Sequence, residues 1–195
     1  MSPLGGPEVT TYAGTQNRLV RLSSSDRRAP WKASDLKNKA VVSMADGVQI
    51  GRVEDVLFDT TALRVAALTL TTTGGRSVLP FAAVRSLGAD AVTVESATAT
   101  QAAADETGAG NLLRSLADLI GLKVVNGEGA YLGDVRDVMI EQASGALTEL
   151  EAHSGGMLGL GGTGVTIPAS AIRGVGPELV TVDMPAPTGE ENRIS

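Results

Sequence analysis

The sequence contains no cysteine. Disulfides, a thiolate nucleophile and sulfur-ligated metals are therefore excluded. It has one histidine, His153, where a catalytic triad or a zinc site needs further partners. Aromatic residues make up only 3% of the chain, so the core must be built from Val, Leu, Ile and Ala. No stretch approaches the roughly 18 apolar residues of a membrane span. The first residues lack a basic start followed by an apolar run, so no secretory signal is read and a cytoplasmic location is expected. Positive charge is also short. The net charge of −6 disfavours non-specific contact with nucleic acid, because phosphates repel an acidic surface.

What is present is one unit written twice. Residues 35–56 read DLKNKAVVSMADGVQIGRVEDV, and residues 118–138 read DLIGLKVVNGEGAYLGDVRDV. With one single-residue gap, Val41 and Val42 match Val124 and Val125. Gly47 matches Gly129 and Gly51 matches Gly133. Val53, Asp55 and Val56 match Val135, Asp137 and Val138. The ends agree too: LPFAAVRSLGADAVTVE (79–95) parallels IPASAIRGVGPELVTVD (167–183). Between these anchors the second copy is six residues longer, and the extra length is glycine-rich.

Each copy reads as β. Two alternating runs flank a turn at Gly47 or Gly129, where glycine tolerates positive φ. Further short runs follow, RVAALTLTT, RSVLPF and AVTVE in the first copy, with proline at a strand end. Short helical turns are expected at FAAVRSL and PASAIRGV. Ser34-Asp35 and Ser115 suggest capped turns entering each copy. The fold class is all-β: two small tandem β-barrels with flexible termini. The organisation is a flexible basic arm (1–33), copy 1 (34–96), a linker (97–114), copy 2 (115–184) and a disordered tail (185–195). Charge is uneven: the arm is +3, copy 1 is −1 and copy 2 is −6.

Several features invite a chemical reading. Gly159, Gly161 and Gly164 have G-x-G-x-x-G spacing, which cradles a pyrophosphate when a helix follows. Here VTIP follows, a β-run ending in proline, so the segment reads as a lengthened hairpin loop between Gly155 and Gly164. Met157, Leu158 and Leu160 within it could touch a partner. His153, near Glu149 and Glu151, reads as a strand-end surface residue. Acids occur on these strands in both copies: Glu54, Asp55 and Asp59 in the first, with Asp134, Asp137 and Glu141 in the second. Strand alternation scatters such acids over two faces, so a solvated face or an aspartate bonded to a turn is the reading. Arg21, Arg27, Arg28 and Lys32, with the single Trp31, lack the aromatic interleaving of a nucleic-acid surface. No catalytic, cofactor-binding or metal-binding residue is assigned, no cofactor is expected, and the chain is not read as an enzyme.

VVSMADGVQIGRVEDVLFD with VLPFAAVRSLGADAVTVE, and again VVNGEGAYLGDVRDVMI with VTIPASAIRGVGPELVTVD, resemble the PRC-barrel family. LVRLSSSD resembles the lead-in of its stand-alone bacterial members. The family includes the cytoplasmic part of the photosynthetic reaction centre H subunit. It also includes the C-terminal half of a bacterial ribosome-maturation factor, which docks on a ribosomal protein. The resemblance implies a β-module that binds proteins, and it carries no catalytic motif. It implies a non-enzymatic cytoplasmic interaction or scaffold module of two barrels, self-associating as a homodimer or through pairing of its own barrels, with an unknown protein partner. The alternative it implies is a ribosome or RNA-processing assembly factor docking on a ribosomal protein. Nucleotide binding through the glycine loop is a third possibility.

Overall fold

The computed structural model describes residues 30–102, 113–154 and 163–186. The chain runs through β1 (Trp31–Lys32), β2 (Ala40–Ser43), β3 (Gln49–Asp59), β4 (Arg64–Thr72), β5 (Gly75–Pro80), β6 (Val84–Leu87), β7 (Ala91–Val94) and β8 (Gln101–Ala102). It continues through β9 (Leu113–Ser115), α1 (Leu116–Leu119), β10 (Lys123–Asn126), β11 (Tyr131–Ile140), β12 (Leu147–Ser154), β13 (Thr163–Pro168), β14 (Ile172–Val175) and β15 (Leu179–Val182). Two all-β sheets result. Their orders are β6-β7-β2-β3-β4-β5-β8 and β13-β12-β11-β10-β15-β14. In each, the first hairpin strand runs parallel to the last strand, β2 beside β7 and β10 beside β15. This is the two-copy architecture that the repeat predicts. Among the described residues, no helix is long and apolar enough to cross a membrane.

Local chemistry explains the shared shape. Gly47 and Gly129 turn the first hairpins with φ of +69° and +81°, the left-handed region that glycine enters freely. In copy 2 the Asn126 side chain accepts from the Glu128 and Ala130 amides, closing that turn. A few residues on, a glycine is needed for space. A Cβ on Gly51 would stand 2.5 Å from the Thr71 carbonyl oxygen, and one on Gly133 would stand 2.7 Å from the His153 carbonyl carbon. Long strands β3 and β11 then carry bulges at equivalent places, Val53/Asp55 and Val135/Asp137. A bulge adds a residue and bends its strand, which lets a short sheet wrap an apolar interior. Pro80 and Pro168 end their strands, and one 3-10 turn follows each, at Phe81–Ala83 and Ala169–Ala171.

The copies are locked by exchange. β1, at the entry to copy 1, pairs with β11 of copy 2: Trp31 lies opposite Ile140 and Lys32 opposite Met139. β9, at the entry to copy 2, pairs with β3 of copy 1: Arg114 lies opposite Phe58 and Ser115 opposite Leu57. Each pair is the other's equivalent, so a pseudo-twofold relates the copies. An isolated bridge joins Arg64 to its own counterpart, Ala146. Around it the Val65 amide donates to Gly145 and the Leu147 amide donates to Leu63, both at 2.9 or 2.8 Å. Leu63 and Gly145, again equivalents, both have positive φ.

One apolar core runs through both copies, from Ala33 to Val182. The gap between the copies, lined by Phe58, Leu63, Leu119, Leu147, Leu150 and Val180, measures about 10 Å³, too little for more than one water. Phe81 of copy 1 lies over Gly145 of copy 2, so closely that a Cβ there would stand 2.5 Å from the ring.

Three sequence expectations change. Residues 31–33, placed in a flexible arm, form β1 and begin a 3-10 turn (Ala33–Leu36). Residues 97–102 and 113–114, placed in a linker, form a 3-10 turn at Ala97–Ala99, β8 against β5, and part of β9. Ser34 does not cap its turn, which has no side-chain cap. Ser115 does cap α1, in a reciprocal box with Asp118. Residues 1–29 of the arm, 103–112 of the linker, 155–162 of the loop and 187–195 of the tail lie outside the described residues.

Candidate interaction surface

The sequence candidates disperse. Gly159, Gly161, Met157, Leu158 and Leu160 lie outside the described residues. Gly164 belongs to β13, a strand registered along β12, so no helix N-terminus follows the glycines. His153, half-buried on β12, lies opposite Asp134 and Gly164. Glu151, two residues before it, is taken by Lys32 at 2.6 Å, and that carboxylate holds the Lys32 ammonium above its usual range. Glu149 sits opposite Met139 and Pro168. Glu54 binds Arg76 through two 2.9 Å bonds. Asp59 accepts from the Thr61 and Ala62 amides, and Glu141 accepts from Ser144. Among the described residues, no three His, Asp or Glu side chains stand close enough to hold a metal ion. Trp31 lies under the Lys39 ammonium, 5.0 Å from its ring centre. Arg21, Arg27 and Arg28 lie outside the described residues.

Asp137 is an aspartate bonded to a turn, one of the two readings of the sequence, and the turn is the entry turn of the other copy. A bulge precedes Asp55 and Asp137 alike. Asp137, only 6% exposed, accepts from the Val138 amide at 2.8 Å, the Ser34 amide at 3.3 Å and the Ser34 hydroxyl at 2.5 Å. Asp55 accepts from the Val56 amide and pairs with Lys37 at 3.4 Å. Asp137 thus clasps copy 2 onto copy 1. Asp137→Ala is expected to cost about 2 kcal/mol, because it takes a charged acceptor from the buried Val138 amide and from the amide and hydroxyl of the exposed Ser34. Ser34→Ala should cost about half of that, and the two losses should not add. Urea unfolding of the four chains measures both effects.

The outer faces of the two sheets differ far more than the interiors do. In copy 2, cross-strand neighbours form two rows: Asp134, Lys123 and Leu179, then Tyr131, Val125 and Thr181. Tyr131 is 48% exposed and Leu179 39%. Partial removal from water raises the Tyr131 phenol above its usual range, and a hydrogen bond to Asp134 adds to this. In copy 1 the equivalent rows are Arg52, Ala40 and Ala91, then Gln49, Val42 and Thr93. Here the exposed apolar groups are at the hairpin instead, Met44 at 55% and Val48 at 54%. Their counterparts in copy 2 are Gly127 and Ala130. The mismatches Gln49/Tyr131, Ala91/Leu179, Met44/Gly127 and Arg52/Asp134 stand in the aligned repeats. They are a readable signal, hidden only when attention rests on what the copies share.

These features define a class: two barrels in one chain, each closed over apolar side chains and strapped to the other by an exchanged strand. The family follows from the sequence match. A PRC-barrel domain model matches residues 32–101 and 113–185, and the chain belongs to that family. Among curated proteins, no sequence matches this chain.

Proposed function

We propose that this chain is a non-enzymatic, cytoplasmic interaction module: a rigid two-barrel scaffold that binds protein surfaces and associates with its own copies. One observation carries the reading. Of the large apolar side chains exposed among the described residues, Met44, Val48, Tyr131 and Leu179 stand on the outer sheet faces and the first hairpin, and Leu113 and Ile120 flank the entry to copy 2, while each interior is filled. Clustered exposed apolar groups rimmed by polar ones are how protein contacts are built. The strapping of the barrels fixes those faces relative to each other, which lowers the entropy lost on binding.

Sedimentation of the purified chain across a wide concentration range tests self-association. A mass that rises with concentration supports the reading, and a constant monomer mass overturns self-association. Affinity capture from native lysate, with and without nuclease, tests the wider role. Capture that survives nuclease supports a protein partner. Ribosomal particles that salt releases would instead support an assembly factor.

A further inference from the structure

The self-association proposed above has a geometry of its own. We infer that the outer sheet face of copy 2 in one chain docks on the outer sheet face of copy 1 in another, in a heterologous, head-to-tail contact.

The argument begins with size. Where copy 2 presents Tyr131 and Leu179, copy 1 has Gln49 and Ala91. Where copy 1 presents Met44 and Val48, copy 2 has Gly127 and Ala130. Each face carries large groups where the other is small. Two copy-2 faces brought together about a local twofold would present Tyr131 and Leu179 to a face that carries the same bulk. A copy-1 face offers alanines instead. Ala40 and Ala91 are cross-strand neighbours, and together they leave a shallow place on an exposed sheet.

Charge points the same way. Asp134 occupies the position in copy 2 that Arg52 occupies in copy 1. Lys123 beside Asp134 replaces Ala40, so these rows hold Asp134 and Lys123 in copy 2 and Arg52 alone in copy 1, whose row runs on through Thr71 to the Arg76–Glu54 pair. The copies as wholes are −6 and −1. Bringing two whole copy-2 barrels together opposes −6 with −6, whereas the mixed pairing opposes −6 with −1, so the repulsion is weaker in the mixed pairing.

The pseudo-twofold adds a consequence. Each chain owns one face of each kind. A mixed contact between two chains therefore leaves one unused face at each end. Heterologous contacts of this type grow into rings or filaments, unlike isologous ones, which stop at a dimer.

The test uses two full-length variants. Ala91→Glu places a bulky carboxylate in the shallow copy-1 face. Leu179→Arg removes an apolar group from the copy-2 face and adds a charge that Arg52 repels. Melting temperature and far-ultraviolet circular dichroism check that both remain folded. The wild-type chain is expected to sediment beyond the dimer as concentration rises. Each variant alone should associate at least tenfold more weakly. An equimolar mixture should form a 1:1 dimer and stop there, joined through the one intact face of each kind. A wild-type chain that stays monomeric overturns self-association itself and this contact with it. A wild-type chain that associates, with Ala91→Glu still dimerising alone, overturns only the mixed contact and assigns the interface to paired copy-2 faces.

Discussion

Gly133→Ala is expected to be among the most damaging small changes in the described part of the protein. Two costs combine there. The residue has φ +144°, a region that a Cβ makes unfavourable, and its Cβ would sit 2.7 Å from the His153 backbone. Strained φ and an overpacked contact each cost about 1–3 kcal/mol. A loss of about 3 kcal/mol or more is expected, a large share of a typical domain's stability. Two further glycines separate the causes. Gly51 has the close approach, at 2.5 Å from Thr71, without positive φ, so Gly51→Ala should cost less. Gly129 has φ +81° and open space around it, so Gly129→Ala should cost about 1 kcal/mol. Urea midpoints at unchanged slope give the ranking. A Gly133→Ala chain as stable as Gly129→Ala would mean that β11 and β12 do not approach as closely as described.

The second large effect concerns the chain cut within residues 103–112. Each half then carries away the strap that completes the other. α1 packs against β3 of copy 1, and the Ala33–Leu36 turn packs against β11 of copy 2. Leu36, Leu116 and Leu119, which these turns carry, are buried. Each fully buried leucine contributes about 1.5–3 kcal/mol, so three of them rival the net stability of a small domain. Separately purified halves are expected to melt far below the intact chain, or to lack a cooperative transition. Mixed at equal concentration, they should co-elute as a 1:1 complex and regain most of the intact melting temperature. Halves that are stable and ignore each other would reduce the exchanged straps to incidental contacts.

Much of this architecture is legible in the residues. The duplicated hairpins, the turns at Gly47 and Gly129 and the strand-ending Pro80 and Pro168 all follow from local backbone chemistry. The second glycine of each hairpin, Gly51 or Gly133, has its cause in the crowding there. The straps were not legible. β1 is two residues long and β9 three, too short for any alternation. Whether such a segment pairs with its own copy or with the other is decided by tertiary packing, to which the local pattern is blind. The same blindness turned Ser34 into an expected cap when its hydroxyl serves Asp137 across the copies. Strict alternation sets successive acids such as Glu54 and Asp55 on opposite faces, and the bulge at Val53/Asp55, which resets alternation, leaves no simple mark in sequence. The outer faces are a different case. They were visible as substitutions between aligned copies, and their meaning needed the register that puts Tyr131 beside Val125 and Leu179 beside Lys123.

The bridge between Arg64 and Ala146 joins a position to its own twin. Two separate single-barrel chains meeting on such an axis would be bound to identity: any change on one exterior would appear on the other. Fusion into one polypeptide lifts that obligation. Arginine at 64 can face alanine at 146, and phenylalanine at 81 can take the room that glycine at 145 leaves. The twin surfaces are then free to diverge, so a single gene can encode two different outer faces while the join between them stays the same.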